Sequence, residues 1–330
     1  MANTLEEFAR WIKVNKFNST IPTDPKKLKN LSVLDLTKKK LRELPESIGA
    51  LENLSVLKIS SNRLKTLPDS IGKLKKLKNL QCENNLLESL PATISGLQSL
   101  VIMNLNGNNL ETLPDEFFSL TKLTRLTIAA NSLKEISPQL GKLTKLLYFS
   151  LDTNYLKRLP DVFESMTSLY YLDLSYNEFT TLPDSISDIE ELETLLLEGN
   201  SIIDLPSLEA HDMLIKLNLN DNHLSELNFD ISKLEDLQIL TLDNNNLTKI
   251  PSDLCKLEKL NQLSISANKL IELPSCIGKL QNLIELDIEE NQIKKLPASF
   301  SKLKKLKNLY IDNNQGLSKP NLESLEFCDI

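Results

Sequence analysis

The chain has 330 residues, of which 41% are apolar and only 5% aromatic, and it carries 38 lysines and arginines against 45 acids for a net charge of −7. That balance argues against nucleic acid as the main partner, because holding phosphate takes a net basic footprint. No run of 18 apolar residues occurs, so nothing in the sequence is suited to cross a bilayer as a helix.

In chain order, residues 1–20 stand apart. Leu5, Phe8, Ala9 and Ile12 fall at helical spacing, with Trp11 beside them. The pattern predicts a short amphipathic helix N-capped by Thr4, with Glu7 three residues on as its capping-box partner. Its expected task is to cover the end of the array that follows. Docking onto a partner or a membrane surface is the alternative. Residues 21–30 read as a half unit, with Ile21-Pro22 standing where a Leu-Pro pair recurs later.

From Leu31 onward a fixed period dominates. The template is Leu54–Lys76, LSVLKISSNRLKTLPDSIGKLKK, with Leu54, Leu57, Ile59, Leu64, Leu67, Ile71 and Leu74 at its apolar sites, Asn62 between them and Pro68 after Leu67. The pattern returns 23 residues later at Leu77, Leu80, Cys82, Asn85, Leu87, Leu90, Pro91, Ile94 and Leu97. Twelve full units start at Leu31, Leu54, Leu77, Leu100, Leu123, Leu146, Leu169, Leu192, Leu214, Leu237, Leu260 and Leu283. A partial thirteenth starts at Leu306 and decays after Leu317. The step from Leu192 to Leu214 is 22 residues, because LPSLEAHDM has lost one. A fixed period means stacked units sharing one continuous core. No linker interrupts residues 31–330, so the whole reads as a single domain.

These motifs resemble the leucine-rich repeat family in its 23-residue form, LxxLxLxxNxLxxLPxxIGxLxx. They are similar to plant Ras-group-related, scribble-type and bacterial repeat proteins. The resemblance implies an α/β repeat fold: a right-handed solenoid, or horseshoe, with a parallel concave sheet and extended or 3-10 convex segments. Residue chemistry agrees. The xLxLx stretch alternates as a strand with one buried face does. The asparagine, from Asn62 through Asn314, can satisfy backbone groups of a buried turn. Proline fixes φ and removes a donor, which disfavours a regular α-helix on the return path. It is missing at Ser137, where Pro138 follows, and at Asn228; both sites are still expected to turn.

Catalytic chemistry finds little support. The histidines, His211 and His223, are expected on different faces, and no HExxH, GxSxG or CxxC motif occurs. Neither a cofactor nor a metal site is expected. Cys255 and Cys276 lie one unit apart in different registers, which argues against a disulfide. Cys82 replaces a core leucine. These cysteines favour a reducing, cytoplasmic compartment, with export lacking a cleaved signal as the alternative. The strips Lys73–Lys78 and Lys302–Lys307 read as solvated convex faces.

With the core fixed, individuality lies in the outward positions of the concave sheet. Five of the six tyrosines, Tyr148, Tyr155, Tyr170, Tyr171 and Tyr176, fall in the two units from Leu146 and Leu169. Exposed tyrosine suits a binding hot spot; cross-strand packing that stiffens the sheet is the alternative. Charge is graded too. Lys38, Lys40, Lys58 and Arg63 stand early on this face, against Asp35. Later come Asp152, Asp173, Glu178, Glu198, Asp221, Asp243, Glu285, Asp287, Glu289, Glu290 and Asp312, against Lys216 and Lys269.

The expectation is a non-catalytic protein-interaction module of signalling-scaffold or host-interaction type. It would hold a partner with a basic region through Tyr148, Asp152, Tyr155, Tyr171, Asp173, Tyr176 and Glu198. Recognition of a glycan or cell-surface polymer by the same face is the alternative. Leu322, Leu325 and Phe327 either fold back as a minimal cap or leave an open edge through which two copies pair; the chain is otherwise a monomer.

Overall fold

A computed structural model describes residues 4–329. Contacts divide the chain into two compact units, one ending at Leu156 and the other beginning at Lys157.

The first unit opens with helix α1 (Leu5–Val14). Its start is fixed by the expected capping box: Glu7 N donates to Thr4 Oγ1 at 3.2 Å, and Thr4 N donates to Glu7 Oε2 at 2.9 Å. Phe8, Ala9 and Ile12 are buried, and the Phe8 and Trp11 rings stack at 5.5 Å. The helix packs on the first convex turn, Glu46–Ala50, so it caps the leucine core as expected. The half unit contains a second short helix, α2 (Pro25–Lys29), which the sequence reading did not foresee. Asp24 caps it through Lys26 N, and Pro25 supplies the helical φ at its first position.

Among the described residues, this unit has six three-residue strands, from β1 (Val33–Asp35) to β6 (Tyr148–Ser150). They pair in parallel and in register, so Leu34, Leu57 and Leu80 stand side by side. The central residue of each strand is buried and the flanking ones face outward, as a pleat dictates. Returns are 3-10 turns such as Asp69–Lys73, entered through Pro68 at φ −67°. At Ser137 the serine itself caps the turn Pro138–Lys142 by accepting from Gln139 N.

The second unit repeats the plan with eight strands, from β7 (Tyr171–Asp173) to β14 (Phe327–Asp329). At the proline-less Asn228 the turn shrinks to Ile231–Lys233, capped by Asp230. Strand β14 follows the stretch after Leu317 where the repeat pattern decays, and the sequence pattern did not show it. It pairs in parallel with β13 (Asn308–Tyr310), Leu309 beside Cys328, only 19 residues on. A shortened return hid it from a 23-residue search. Leu322 and Leu325 lie half-buried there, and Phe327 stays 48% exposed with its ring 5.4 Å from Tyr310.

Two features repeat through both units. The ladder asparagines are buried, and inside each compact unit they staple one repeat to the repeat before it. Asn85 Nδ2 donates to the Ile59 and Cys82 carbonyls at 3.0 and 2.9 Å, while its Oδ1 accepts from Leu64 N at 3.1 Å. The residue before each of them turns the corner with positive φ, from Ser61 (55°) and Asn84 (57°) to Tyr176 (52°) and Asn313 (57°).

The cysteines require a correction. Cys255 and Cys276 form a disulfide, with Cα atoms 5.9 Å apart. Adjacent convex turns are staggered by two residues, so positions in different registers face each other. The same stagger brings Gly49 against Ser70, Gly72 against Thr93 and Gly278 against Ser299; a Cβ on Gly278 would stand 1.9 Å from the Ser299 carbonyl oxygen. Cys255 occupies the glycine position of that pair and Cys276 the serine position. Disulfides persist in oxidising surroundings, so the cysteines no longer favour a reducing compartment.

His211, in the shortened unit, is wholly buried. Neither ring nitrogen makes a hydrogen bond of normal geometry, although the Ile186 and Ile189 carbonyls lie close enough to favour the charged form. Burial outweighs them, and the carboxylates of Asp188 and Asp212, and lowers its pKa from 6.5. The unfolded chain then binds a proton that the fold refuses. Stability should therefore hold above neutrality and fall as pH drops through 6.5, by at most about 1.4 kcal/mol per pH unit, until the folded pKa is passed. Urea melts of the parent and of His211→Asn between pH 8 and pH 5 check this; the variant should lose that part of the slope.

Candidate interaction face

The sheet faces of the two units carry the expected tyrosines and acids. On the first unit, Tyr148 opens strand β6, beside Arg125 in register on β5 (Arg125–Thr127). The Arg125 guanidinium lies 3.7 Å from the centre of the Tyr148 ring, a cation–π contact that fixes both side chains. Asp152 accepts from Ser150 Oγ at 2.6 Å. Tyr155 projects just beyond ladder residue Asn154 and is 53% exposed.

On the second unit, Tyr171 and Asp173 flank the buried Leu172. The Tyr171 hydroxyl points to Asp173 Oδ2 at 3.4 Å, and Asp173 Oδ1 accepts from Ser175 N at 3.1 Å. Tyr176 stands on the positive-φ corner and is 52% exposed. Its ring lies over Gly199: a Cβ on that glycine would come within 2.5 Å of Tyr176 Cδ1. Its hydroxyl donates to Glu198 Oε1, which pushes the phenol up to about 12. Glu198 Oε2 in turn accepts from Asn218 Nδ2 at 2.8 Å, and Asn218 Oδ1 accepts from Thr241 Oγ1 at 2.8 Å. Tyr176, Glu198, Asn218 and Thr241 thus form one hydrogen-bonded chain across neighbouring strands.

Sequence reasoning missed Arg125, Asn218 and Gly199. A signal existed: Arg125 stands one 23-residue period before Tyr148, Gly199 one period after Tyr176, and Asn218 two periods after Asp173, the second of them the shortened one.

Further along this unit the acids crowd. Asp243 Oδ1 accepts from Ser264 Oγ, Ser266 N and Ser266 Oγ at 2.6, 2.7 and 2.9 Å. Asp287 has its carboxyl pushed up by burial and by the charge of Asp243. Glu289 is pushed up by burial and then by Asp287, Asp329 and Asp312. Among the described residues, no cluster of three or more histidines, cysteines or acids is arranged to hold a metal ion, and no helix is long and apolar enough to cross a membrane. His223 is exposed and His211 buried, so the two histidines do not meet.

One short parallel strand per period, an asparagine staple and proline-led 3-10 returns define a solenoid repeat protein that offers a sheet face to solvent. Family models for leucine-rich repeat regions match residues 13–101 and 253–329, half of the chain, and further leucine-rich repeat models match 75–133, 144–202 and 236–257. The chain belongs to the leucine-rich repeat family.

Among solved structures it is similar to a leucine-rich repeat protein of Leptospira interrogans, with 29% identity over 89% of this chain and 93% of that one and a TM-score of 0.63. A chain of a Drosophila Toll–Spätzle complex matches 87% of this chain over 42% of its own length, with 28% identity and a TM-score of 0.76. An internalin of Listeria monocytogenes shares the fold over 98% of this chain and 94% of its own, with 20% identity and a TM-score of 0.69. Among curated protein sequences no match is found.

Proposed function

We propose that the chain is a non-catalytic module that holds a partner protein on the sheet faces of its units. The contact residues are Tyr171, Asp173, Tyr176 and Glu198 on the face of the second unit, and Tyr148, Asp152 and Tyr155 on the face of the first, each set a surface of its own unit. The observation that carries this reading is Tyr176. The residue is half exposed, yet its ring is seated on Gly199 and its hydroxyl is tied to Glu198. An aromatic ordered before binding loses little entropy when a partner arrives. The crowded carboxylates of Asp243, Asp287 and Glu289 favour a partner with a basic region, whose charge would relieve their repulsion. The similarity to a chain of the Toll–Spätzle complex, an assembly of proteins, supports a protein as the class of ligand.

The test is affinity capture with the parent and with a Tyr148, Tyr155, Tyr171 and Tyr176 to alanine variant, after both are matched by circular dichroism and melting. A protein retained by the parent and lost by the variant names the partner. Equal retention removes the tyrosines from the site. Capture of oligosaccharide but no protein replaces this reading with glycan recognition.

Once a partner is in hand, Gly199→Ala gives a finer result. The new Cβ drives the Tyr176 ring from its seat, and partner affinity should fall about tenfold. Gly107→Ala is the control. It has nearly the same φ, +63° against +68°, but its Cβ would meet Asn84 Oδ1 and no ring. Both variants should lose about 1 kcal/mol of stability, and only Gly199→Ala should lose binding in a titration.

A further inference from the structure

We infer a second docking surface on the second unit, away from the sheet face: a groove that takes an acidic peptide segment of a partner protein, anchored by one aliphatic side chain. The groove, of about 710 Å³, lies on the flank of the units from Leu237, Leu260 and Leu283. Ile271, Pro274 and Pro297 give it an apolar floor, and Lys249, Lys294 and Lys295 rim it, with Glu272 the one acid among its lining residues.

Ile271 is 63% exposed. Its position, eleven residues after the first leucine of a unit, carries cross-unit ion pairs elsewhere: Lys65 with Glu88 at 2.9 Å and Lys134 with Glu111 at 3.3 Å. Here an isoleucine stands where a paired charge stands in those units. Beside it, Lys294 and Lys295 have no carboxylate within ion-pairing distance among the described residues, and Lys249 is only loosely paired with Glu226 at 3.8 Å. From Asn291 to Ile311 the chain has six lysines and no acid. An exposed aliphatic beside unpaired cations is complementary to an aliphatic side chain flanked by carboxylates. The sheet face of the same unit is acidic, so the two surfaces select peptides of opposite charge.

The probe is the amidated peptide acetyl-Asp-Glu-Leu-Asp-Glu, and the reporter is the Ile271 δ1-methyl resonance of the full chain, identified with Ile271→Val. The expected result is a saturable shift of that methyl. It should weaken about tenfold in Lys294→Glu/Lys295→Glu and weaken clearly when alanine replaces leucine in the probe. A parent melting curve for the double variant excludes a folding effect, since both lysines are exposed. No shift up to millimolar probe, an equal response from the charge-reversed chain, or an equal response to the alanine probe overturns the inference.

Discussion

Asn245→Ala should lower the stability of the chain by about 3 kcal/mol, and Asn245→Asp by at least as much. Asn245 Nδ2 donates to the Leu219, Leu242 and Asp243 carbonyls at 2.9, 3.1 and 3.1 Å, and its Oδ1 accepts from Leu224 N at 3.0 Å. Alanine leaves the buried Leu224 N–H without a partner, which costs about 1–3 kcal/mol if no water enters, and removes one of the two donors that meet the Leu219 and Leu242 carbonyls, which keep Asn222 Nδ2 and Asn268 Nδ2. Aspartate keeps the acceptor but sets a carboxylate against those carbonyls. The damage should spread to the unit before, because two of the broken bonds reach back to Leu219 and Leu224. Guanidinium unfolding of parent and variants measures the loss. Hydrogen exchange at the Leu224 amide should rise sharply in Asn245→Ala, and an unchanged amide would show that the staple does not hold the neighbouring unit.

Reducing the Cys255–Cys276 disulfide, or replacing Cys276 with serine, should cost about 3 kcal/mol, the loop-closure value for a separation of 21 residues. The two treatments should agree, since serine is the residue found at the matching position of other units, as at Ser70 and Ser299. Thiol titration gives an independent reading. Under denaturing, non-reducing conditions only Cys82 and Cys328 should react. In the native chain Cys328 alone should react, because Cys82 is fully buried and burial pushes its thiol far up. Four reactive thiols in the denatured chain would mean that the bridge is absent.

Apolar spacing carries most of this architecture because every buried leucine recurs at one period and has no second use. Asparagine was legible for the same reason: a buried amide at a fixed place must be meeting backbone groups. What escaped lies off that period. Strand β14 follows a 19-residue step, and the disulfide joins positions that align only when the two-residue stagger of the convex turns is known. At the candidate site the tyrosines showed in the sequence through their clustering. The residues that hold them, Arg125, Gly199 and Asn218, did not, because a guanidinium, a bare Cα and an amide acquire that role only across neighbouring strands.

The positive-φ corner before each asparagine sets limits on redesign of this surface. Twelve units place there, in order, Ser61, Asn84, Gly107, Ala130, Thr153, Tyr176, Gly199, Asp221, Asn244, Ala267, Glu290 and Asn313, and the first unit has Lys38 at the same corner, ahead of Lys39. A side chain in that conformation costs about 1–2 kcal/mol relative to glycine, so the corner resists bulky and β-branched residues, with Tyr176 and Thr153 as the exceptions. A library built to retarget this scaffold would therefore leave the corners to glycine and asparagine and randomise the outward strand positions, such as those of Arg125, Tyr148 and Tyr171, where any side chain fits the backbone. Tyr176 marks the corner at which such a library would discard a residue that the natural chain has kept.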